Sequence, residues 1–536
     1  MSRLRNFDAV AGMLAAALAL GVAELMAGLT GANSLIVGVG NVFVDYTPGP
    51  IVNASIDALG TNDKPFLLGS VVVISLLLGA LLGPIARRQR SVALVAFTAF
   101  GLAGALAGAR DPLSPTAVPF IVGGVAALAG WWTFGRLLDA ATLRTGPPPT
   151  VPAPWKSRAD APASTPPPRV ATRPGLADRR RFLSFAGAAV GGTALSAFIG
   201  RGVLGSGVDV EAQRAAIVLP PSRFGSPPAT PELAVPGQAP FITPNDDFYR
   251  IDTALFRPRV DAGDWRLRIK GMVDRPYELS YDELLEMASL EEAVTLNCVS
   301  NEVGGGLVGN AIWLGVPLAM LLERAGPEDN ATQIVGRSVD GFSAGFPTEV
   351  ALDGRPAMVA IGMNGEPLPA NHGFPARLVV PGLYGYVSAT KWLKEIELTR
   401  LDLFDGFWIR RGWSKLAPIK THSRIDVPRS GQRTTAGAQP IAGVAWGGVR
   451  SIDRVEVRIT PEEDEPGDWQ DARLGERLNS TTWRQWVLDW DAAAGRYEIE
   501  VRATDGHGDT QTSERHAPSP NGATGYHRIR VRVEQA

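Results

Sequence analysis

Four apolar runs, at roughly residues 8–30, 66–86, 91–110 and 115–138, constrain this chain of 536 residues more than anything else in it. Each approaches the roughly 20 residues that a helix needs to cross the hydrocarbon core of a bilayer. Three of the four carry no charge at their centres, which argues against four buried helices of a water-soluble domain; Glu24 in the first run is the exception. A carboxylate at that depth either serves a function or faces the interior of a bundle. Lysine and arginine set the orientation. Arg3 and Arg5 precede the first run, Arg87, Arg88 and Arg90 separate the second from the third, and Arg136, Arg144, Lys156, Arg158, Arg169 and Arg173 follow the fourth. The connection 31–65 holds only Lys64, and the short one near 111 only Arg110. The positive-inside rule then predicts a four-helix transmembrane module over 1–144, with its N-terminus, the 87–90 loop and the segment after the fourth span in the cytoplasm.

Residues 145–178 are rich in Pro and Ala, with Pro147 to Pro149 and Pro166 to Pro168, and read as an extended, disordered linker. Arg179-Arg180-Arg181-Phe182-Leu183 follows, ahead of a mildly apolar Gly/Ala-rich stretch to Ile199. That order resembles a twin-arginine export signal, although an internal position is unusual for one. No small-x-small cleavage site stands out, so 179–205 is expected to remain as a fifth transmembrane helix, with all that follows outside the cytoplasm. Residues 206–237 are Pro-rich and read as a second linker.

Composition removes several function classes. Basic and acidic side chains number 52 and 54, so nothing in the charge balance suggests a nucleic-acid partner. Cys298 is the only cysteine, which excludes an intrachain disulfide and equally a zinc or iron–sulfur site built from several cysteines. The five histidines all lie in the last third. The membrane module therefore has no axial ligands for a b-type haem, and electrons must pass to or from a separate partner.

Residues 238–425 read as a mixed α+β domain. Trp265 to Gly271 alternates with the period of a half-buried strand, and Ser280 with Glu283 has the capping-box order of a helix start. Val316 to Ala325 has helical apolar spacing ended by Gly326-Pro327, and strand-like segments recur at 332–336 and 356–361. Cys298 ends an apolar strand-like run (Ala293, Val294, Leu296) and opens a glycine-rich loop. A thiolate there can hold a soft metal or act as a nucleophile, while a small buried hydrophobe is the plainer reading of a lone cysteine. His372, Arg377 and Lys391 fall along one strand–turn–strand unit with glycines at 373, 382 and 385. Such a donor set suits an anionic ligand with phosphate and ring-edge acceptors, a solvated basic edge being the alternative.

Several ordered motifs go further. Asn297-Cys298-Val299-Ser300-Asn301, then Gly309-Asn-Ala-Ile-Trp-Leu-Gly-Val-Pro-Leu318, Met363-Asn-Gly-x-Pro-Leu-Pro369 and His372-Gly-Phe-Pro-x-Arg377-Leu-Val-Val-Pro-Gly382 resemble the sulfite oxidase family of molybdopterin-dependent oxidoreductases. The similarity runs over roughly 238–536. It implies a molybdenum–molybdopterin cofactor without a nucleotide, Cys298 as the catalytic metal ligand, and His372 and Arg377 on pterin and phosphate. It also implies Lys391, with Thr390 beside it, at the phosphate, and Phe248, Tyr249 and Arg250 wrapped around the cofactor.

The chain departs from the family's sulfite-oxidising pattern at three places. Tyr249-Arg250-Ile251-Asp252-Thr253 stands where Tyr/Phe-Val-Arg-Asn-His is usual, Ile361 stands where a Tyr precedes Met-Asn-Gly, and Glu302 and Val303 follow the cysteine motif where basic residues are common. Each change removes positive charge or a hydrogen-bond donor, on which a doubly charged oxyanion depends. A neutral oxide or sulfoxide is the expected small-molecule substrate, with two-electron oxygen-atom transfer as the reaction.

Residues 426–536 contain short alternating strands at turn-marked intervals, Val455–Ile459, Tyr497–Ala503 and Ile529–Val533 among them, and read as a β-sandwich with Trp483, Trp486 and Trp490 in its core. The Ala445-Trp446 opening and the Arg502-Ala-x-Asp505 pattern look like the family's immunoglobulin-like dimerisation domain, which implies a homodimer. The expectation from sequence is thus a multi-pass cell-membrane protein with an extracytoplasmic molybdoenzyme domain. A membrane-tethered scaffold or sensory protein that keeps the fold without the metal is the alternative.

Overall fold

The computed structural model describes residues 2–141, 176–205 and 208–535, except 31, 49–50, 52–54, 56–57, 60–61, 111–115 and 223–231. Nearly all of the 145–178 linker, and the side chains of Arg179, Arg180 and Arg181, lie outside the described residues. Two compact units result, Met1–Gly207 and Val208–Ala536.

The first unit contains α1 (Ser2–Thr30), α2 (Leu35–Tyr46), α3 (Asp63–Ala86), α4 (Arg90–Gly108), α5 (Val118–Ala141) and α6 (Leu176–Gly205). All but α2 are long and apolar enough to cross a membrane, by length and composition. Their outward faces are apolar, with Leu81 68%, Val95 67% and Phe198 77% exposed, as suits helices solvated by lipid. Small residues let the backbones close on one another. A Cβ on Gly12 would stand 2.0 Å from the Gly79 carbonyl oxygen, and one on Gly28 2.7 Å from that of Gly200. These contacts set helix directions. Arg87 Nη1 meets the buried Asp8 at 2.7 Å, so α3 runs antiparallel to α1. Phe7 lies edge-on to Phe182 at 5.1 Å while Gly28 meets Gly200, so α6 runs parallel to α1. Helix α2 falls inside the 31–65 segment that the sequence presents as a connection. Ser34 caps it, accepting from the Ile36 N–H at 3.1 Å, and donates its own hydroxyl to Glu24.

In the second unit, β1 (Arg266–Gly271), β2 (Tyr277–Ser280), β5 (Gln333–Ser338), β6 (Ser343–Pro347) and β10 (Leu393–Thr399) form a sheet of order β2-β1-β10-β5-β6. Only the β1–β10 pairing in it is parallel. A second sheet joins β3 (Leu290–Asn297), β4 (Val308–Pro317), β7 (Met358–Met363) and β8 (Glu366–Pro367), with β9 (Arg377–Val379) on the flank of β7. The expected capping box is present: Ser280 Oγ accepts from the Glu283 N–H at 3.2 Å, and the Glu283 carboxylate accepts from the Ser280 N–H at 2.7 Å. The helix expected from Val316 begins at Leu318, because Val316 and Pro317 continue β4 and pair with Val359 and Met358 of β7. Burial between strands overrides helical spacing there.

The sandwich comprises β11 (His422–Val427), β13 (Gly437–Trp446), β16 (Arg473–Leu474) and β17 (Arg484–Ala492) in one sheet. The other holds β12 (Arg433–Thr435), β14 (Ile452–Pro461), β15 (Trp469–Asp471), β18 (Gly495–Asp505) and β19 (His527–Glu534). Ile425, Ile441, Val455, Trp486, Ile499 and Ile529 fill the space between them.

Two boundaries move. A division at 425/426 cuts through β11, which pairs with β13 and belongs to the sandwich. The 206–237 segment is not all linker: residues 210–216 form a helix, and Arg214 donates to the carbonyls of Leu368 and Pro367 at 2.8 and 2.9 Å. The sandwich and the α+β part also interlock. Trp483 N–H donates to Thr295 Oγ1 at 2.7 Å, its indole N–H donates to the Phe241 carbonyl at 2.8 Å, and Thr481 accepts from the Thr295 N–H at 3.0 Å. Trp446 and Trp483 thereby join the same apolar core as Leu296 and Trp313.

Candidate active site

Cys298 directly follows β3, whose last five residues are all buried, and so stands at the end of a buried strand. Its N–H donates to the Leu307 carbonyl at 2.9 Å and its carbonyl accepts from the Asn301 N–H at 3.0 Å, so the glycine-rich loop closes on itself. The thiol is free and buried. Burial pushes it above its ordinary range, against the opposing pull of the Ser300 N–H and hydroxyl. A nucleophilic cysteine needs the opposite shift, produced by a nearby cation or helix N-terminus. Metal ligation fits better, since a metal ion displaces the thiol proton itself.

Phe248 and Tyr249 stack at 5.2 Å. Burial pushes the Tyr249 phenol far above its ordinary range, the Cys298 thiol adds to the shift and the Arg377 guanidinium opposes it, so the hydroxyl is felt by both. Phe248 is edge-on to Trp313 at 5.8 Å and to His372 at 5.5 Å. Gly309 makes room for that ring, because a Cβ there would stand 2.7 Å from it.

His372 Nε2 lies 3.0 Å from the Asn245 carbonyl and so carries the ring proton. Burial lowers its pKa to about 4, with Arg377 and Lys391 also disfavouring a second proton, and the imidazole is neutral at physiological pH. Arg377 lies over Trp313 at 5.0 Å and donates to the His372 carbonyl at 3.1 Å. Among the described residues no carboxylate pairs with it. Desolvation brings its pKa down to about 10. Lys391 is buried too, donating to Asp252 at 2.8 Å and to the Asn371 carbonyl at 3.2 Å, with a pKa lowered to about 8 by desolvation. Gly373, at φ +114°, lets the two segments pack closely, since a Cβ on it would stand 3.0 Å from the Cβ of Lys391 and 3.2 Å from that of Arg377.

The fold therefore gathers Cys298, Phe248, Tyr249, His372, Arg377 and Lys391. Arg250 sits at the open side, 45% exposed at its side chain and 3.1 Å from Asp252. Thr390 is wholly buried and its hydroxyl faces the Gly336 carbonyl at 3.4 Å, within the sheet rather than toward the cations. Sequence reasoning missed Trp313 as the platform under Arg377, Ser300 against the sulfur and Asp252 against Lys391. The signal for Asp252 was visible, since a carboxylate replaces an amide beside Arg250.

Residues 254–408 match the oxidoreductase molybdopterin binding domain family. The chain is 30% identical to sulfite oxidase of Gallus gallus over 341 residues, covering 52% of this chain and 73% of that one. It is 33% identical over 153 residues to the uncharacterized oxidoreductase YuiH of Bacillus subtilis (strain 168), covering 28% of this chain and 74% of that one. The chain belongs to the sulfite oxidase family. Mitochondrial sulfite oxidase of Homo sapiens is 30% identical over 307 residues, covering 49% of this chain and 55% of that protein, so the chain spans about half the length of such relatives.

The residues of this sulfite oxidase family member fit a molybdenum–pterin group. Arg377 and Lys391 are both buried, and among the described residues Arg377 has no carboxylate partner, so a phosphate would satisfy a buried cation there. Among the described residues no group of three or more His, Cys, Asp or Glu could hold a metal ion, so a metal at Cys298 would take its other ligands from the bound group.

Proposed function

We propose that this protein is a membrane-anchored molybdopterin oxidoreductase that transfers an oxygen atom to or from a small molecule at a Cys298-ligated molybdenum. The observation that carries the reading is Arg377, a buried guanidinium that lies over Trp313 and has no paired carboxylate among the described residues, together with the chain's single cysteine, whose thiol is buried. When bound, the molybdenum–pterin group supplies a two-electron centre that takes up or releases an oxygen atom.

The chain's own residues hold, orient and neutralise. Cys298 is the metal ligand, and Arg377 and Lys391 offset the phosphate charge in a desolvated site, where each contact is stronger than in water. His372, neutral and fixed by the Asn245 carbonyl, offers its second nitrogen as an acceptor for ring-edge donors. Phe248 and Tyr249 exclude water. Ile361 is fully buried and brings no polar group to the site. With Glu302 and Val303 in place of cations, the sulfur loop favours a neutral oxide or sulfoxide over sulfite, reduced by two electrons and two protons to the sulfide and water. Electrons come from a separate partner.

Five apolar helices, with Asp8–Arg87 and Arg90–Asp139 pairs at one end of the bundle, support a membrane-spanning anchor whose arginine end faces the cytoplasm. By that orientation the helix Leu176–Gly205 delivers residues 208–536 to the extracytoplasmic side. The twin-arginine-like order near its start suits export of a domain loaded with its cofactor while still in the cytoplasm.

Elemental analysis and pterin fluorescence of the purified protein test the proposal. Near-stoichiometric molybdenum is expected in the wild type and little in Cys298→Ser, together with dye-linked reduction of sulfoxides. Absence of molybdenum from the wild type overturns the enzymatic reading, and rapid sulfite oxidation overturns the substrate assignment.

A further inference from the structure

The loop between Cys298 and β4 contains Gly304, Gly305 and Gly306, a run that loses more conformational freedom on ordering than any other tripeptide. Its own hydrogen bonds are few. Asn301 Oδ1 accepts from the Leu307 N–H at 2.8 Å, and the Glu302 carbonyl accepts from the Gly305 N–H at 2.9 Å. Beyond these and the Cys298 backbone bonds to Leu307 and Asn301, further restraint comes from the sandwich, more than a hundred residues later in the chain. Arg424 of β11 donates from Nη1 to the Gly305 carbonyl at 3.0 Å, and Asp426 orients that guanidinium through an Nε contact of 2.7 Å. The His527 ring of β19 lies on Gly304, where a Cβ would stand 2.2 Å from Cδ2, and Gly304 takes φ +79°. His527 is itself fixed, its Nδ1 accepting from the Ile425 N–H at 3.0 Å across the two sheets.

We propose that Arg424 and His527 are positioning residues for Cys298, and that the sandwich serves the site within its own chain by holding the glycine loop against the end of β3. The inference rests on Cys298 as the metal ligand, since the direction of its sulfur decides whether a metal is met. Neither residue touches the sulfur. Both act through the loop, Arg424 by a charge-assisted bond to its backbone and His527 by filling the space a side chain at 304 would need.

The single cysteine makes a direct test possible in the full chain, purified in detergent from cells that make no pterin. The rate of Cys298 alkylation by iodoacetamide is followed by mass spectrometry. Arg424→Met and His527→Ala are each expected to accelerate it threefold or more over wild type, with Arg424→Lys intermediate. Arg450→Met, which breaks an ion pair with Asp505 elsewhere in the sandwich, is expected to stay below that threshold. Acceleration of less than threefold in both loop-facing variants, or equal acceleration in Arg450→Met, overturns the proposal. Should Arg424→Met fail to fold, Gly304→Ala reads the loop's other contact by driving a Cβ into the His527 ring, and a rate within threefold of wild type is then the overturning result. Molybdenum content is measured separately, so loss of the metal reading and loss of the positioning role are told apart.

Discussion

Lys391 and Asp252 meet at 2.8 Å with side chains only 9% and 4% exposed, so the cation that the family pattern assigns to a phosphate already holds an internal anion. Breaking a buried pair leaves an uncompensated charge, at a cost of about 3 kcal/mol or more. Asp252→Ala is therefore expected to lower the thermal midpoint of the cofactor-free protein by several degrees. A phosphate would supply the missing charge, so the loss is expected to be smaller in cofactor-loaded protein. Differential scanning calorimetry of both forms checks this.

Arg377 presents the opposite case. Among the described residues its buried charge has no carboxylate partner, and Arg377→Met removes the desolvation cost together with the guanidinium that lies over Trp313. The cofactor-free variant is expected to be as stable as wild type, while retained pterin falls at least tenfold. Pterin fluorescence after gel filtration, beside the same melting curves, separates the two effects.

His422 is buried, stacked on Trp446 at 5.4 Å, with its pKa lowered to about 4 by desolvation and by Lys420. A depressed histidine pKa means the unfolded chain binds the proton first as pH falls. Stability is therefore full above the unfolded value near 6.5, is lost progressively as pH drops toward 4, and levels off below it. The loss is on the order of 3 kcal/mol from this residue. His422→Gln is expected to flatten that part of a stability–pH profile measured between pH 7 and 4.

Trp483 is 2% exposed and makes two hydrogen bonds to the α+β part, from its N–H to Thr295 of β3 and from its indole N–H to the Phe241 carbonyl. Trp483→Ala is expected to cost about 3–5 kcal/mol and to expose the neighbouring strand end. Limited proteolysis should then cut between residues 475 and 483, where the wild type resists.

The membrane orientation is checked in a Cys298→Ser background, which contains no other cysteine. Gln89→Cys is expected to react with an impermeant maleimide only after cells are opened, and Ser430→Cys in intact cells whose outer barrier has been removed. Reversed labelling would refute the assigned topology.

Hydropathy and charge alone determined where the long apolar helices lie, because length and the absence of charge are local properties of the chain. The resemblance carried by ordered short motifs singled out Cys298, His372, Arg377 and Lys391, all four of which the fold buries. Helix α2 was not legible, being too short for a span and embedded in a connection. The boundary at 425/426 was not legible either, because β11 alternates in the same way whichever sheet it joins, and only its pairing with β13 decides. Thr390 shows the same limit inside the site, for adjacency to Lys391 says nothing of where its hydroxyl points. The contacts of Arg377 with Trp313, Lys391 with Asp252, and Gly304 with His527 join residues 64, 139 and 223 positions apart. No local periodicity encodes pairings of that length, and only closure of the whole core brings them together.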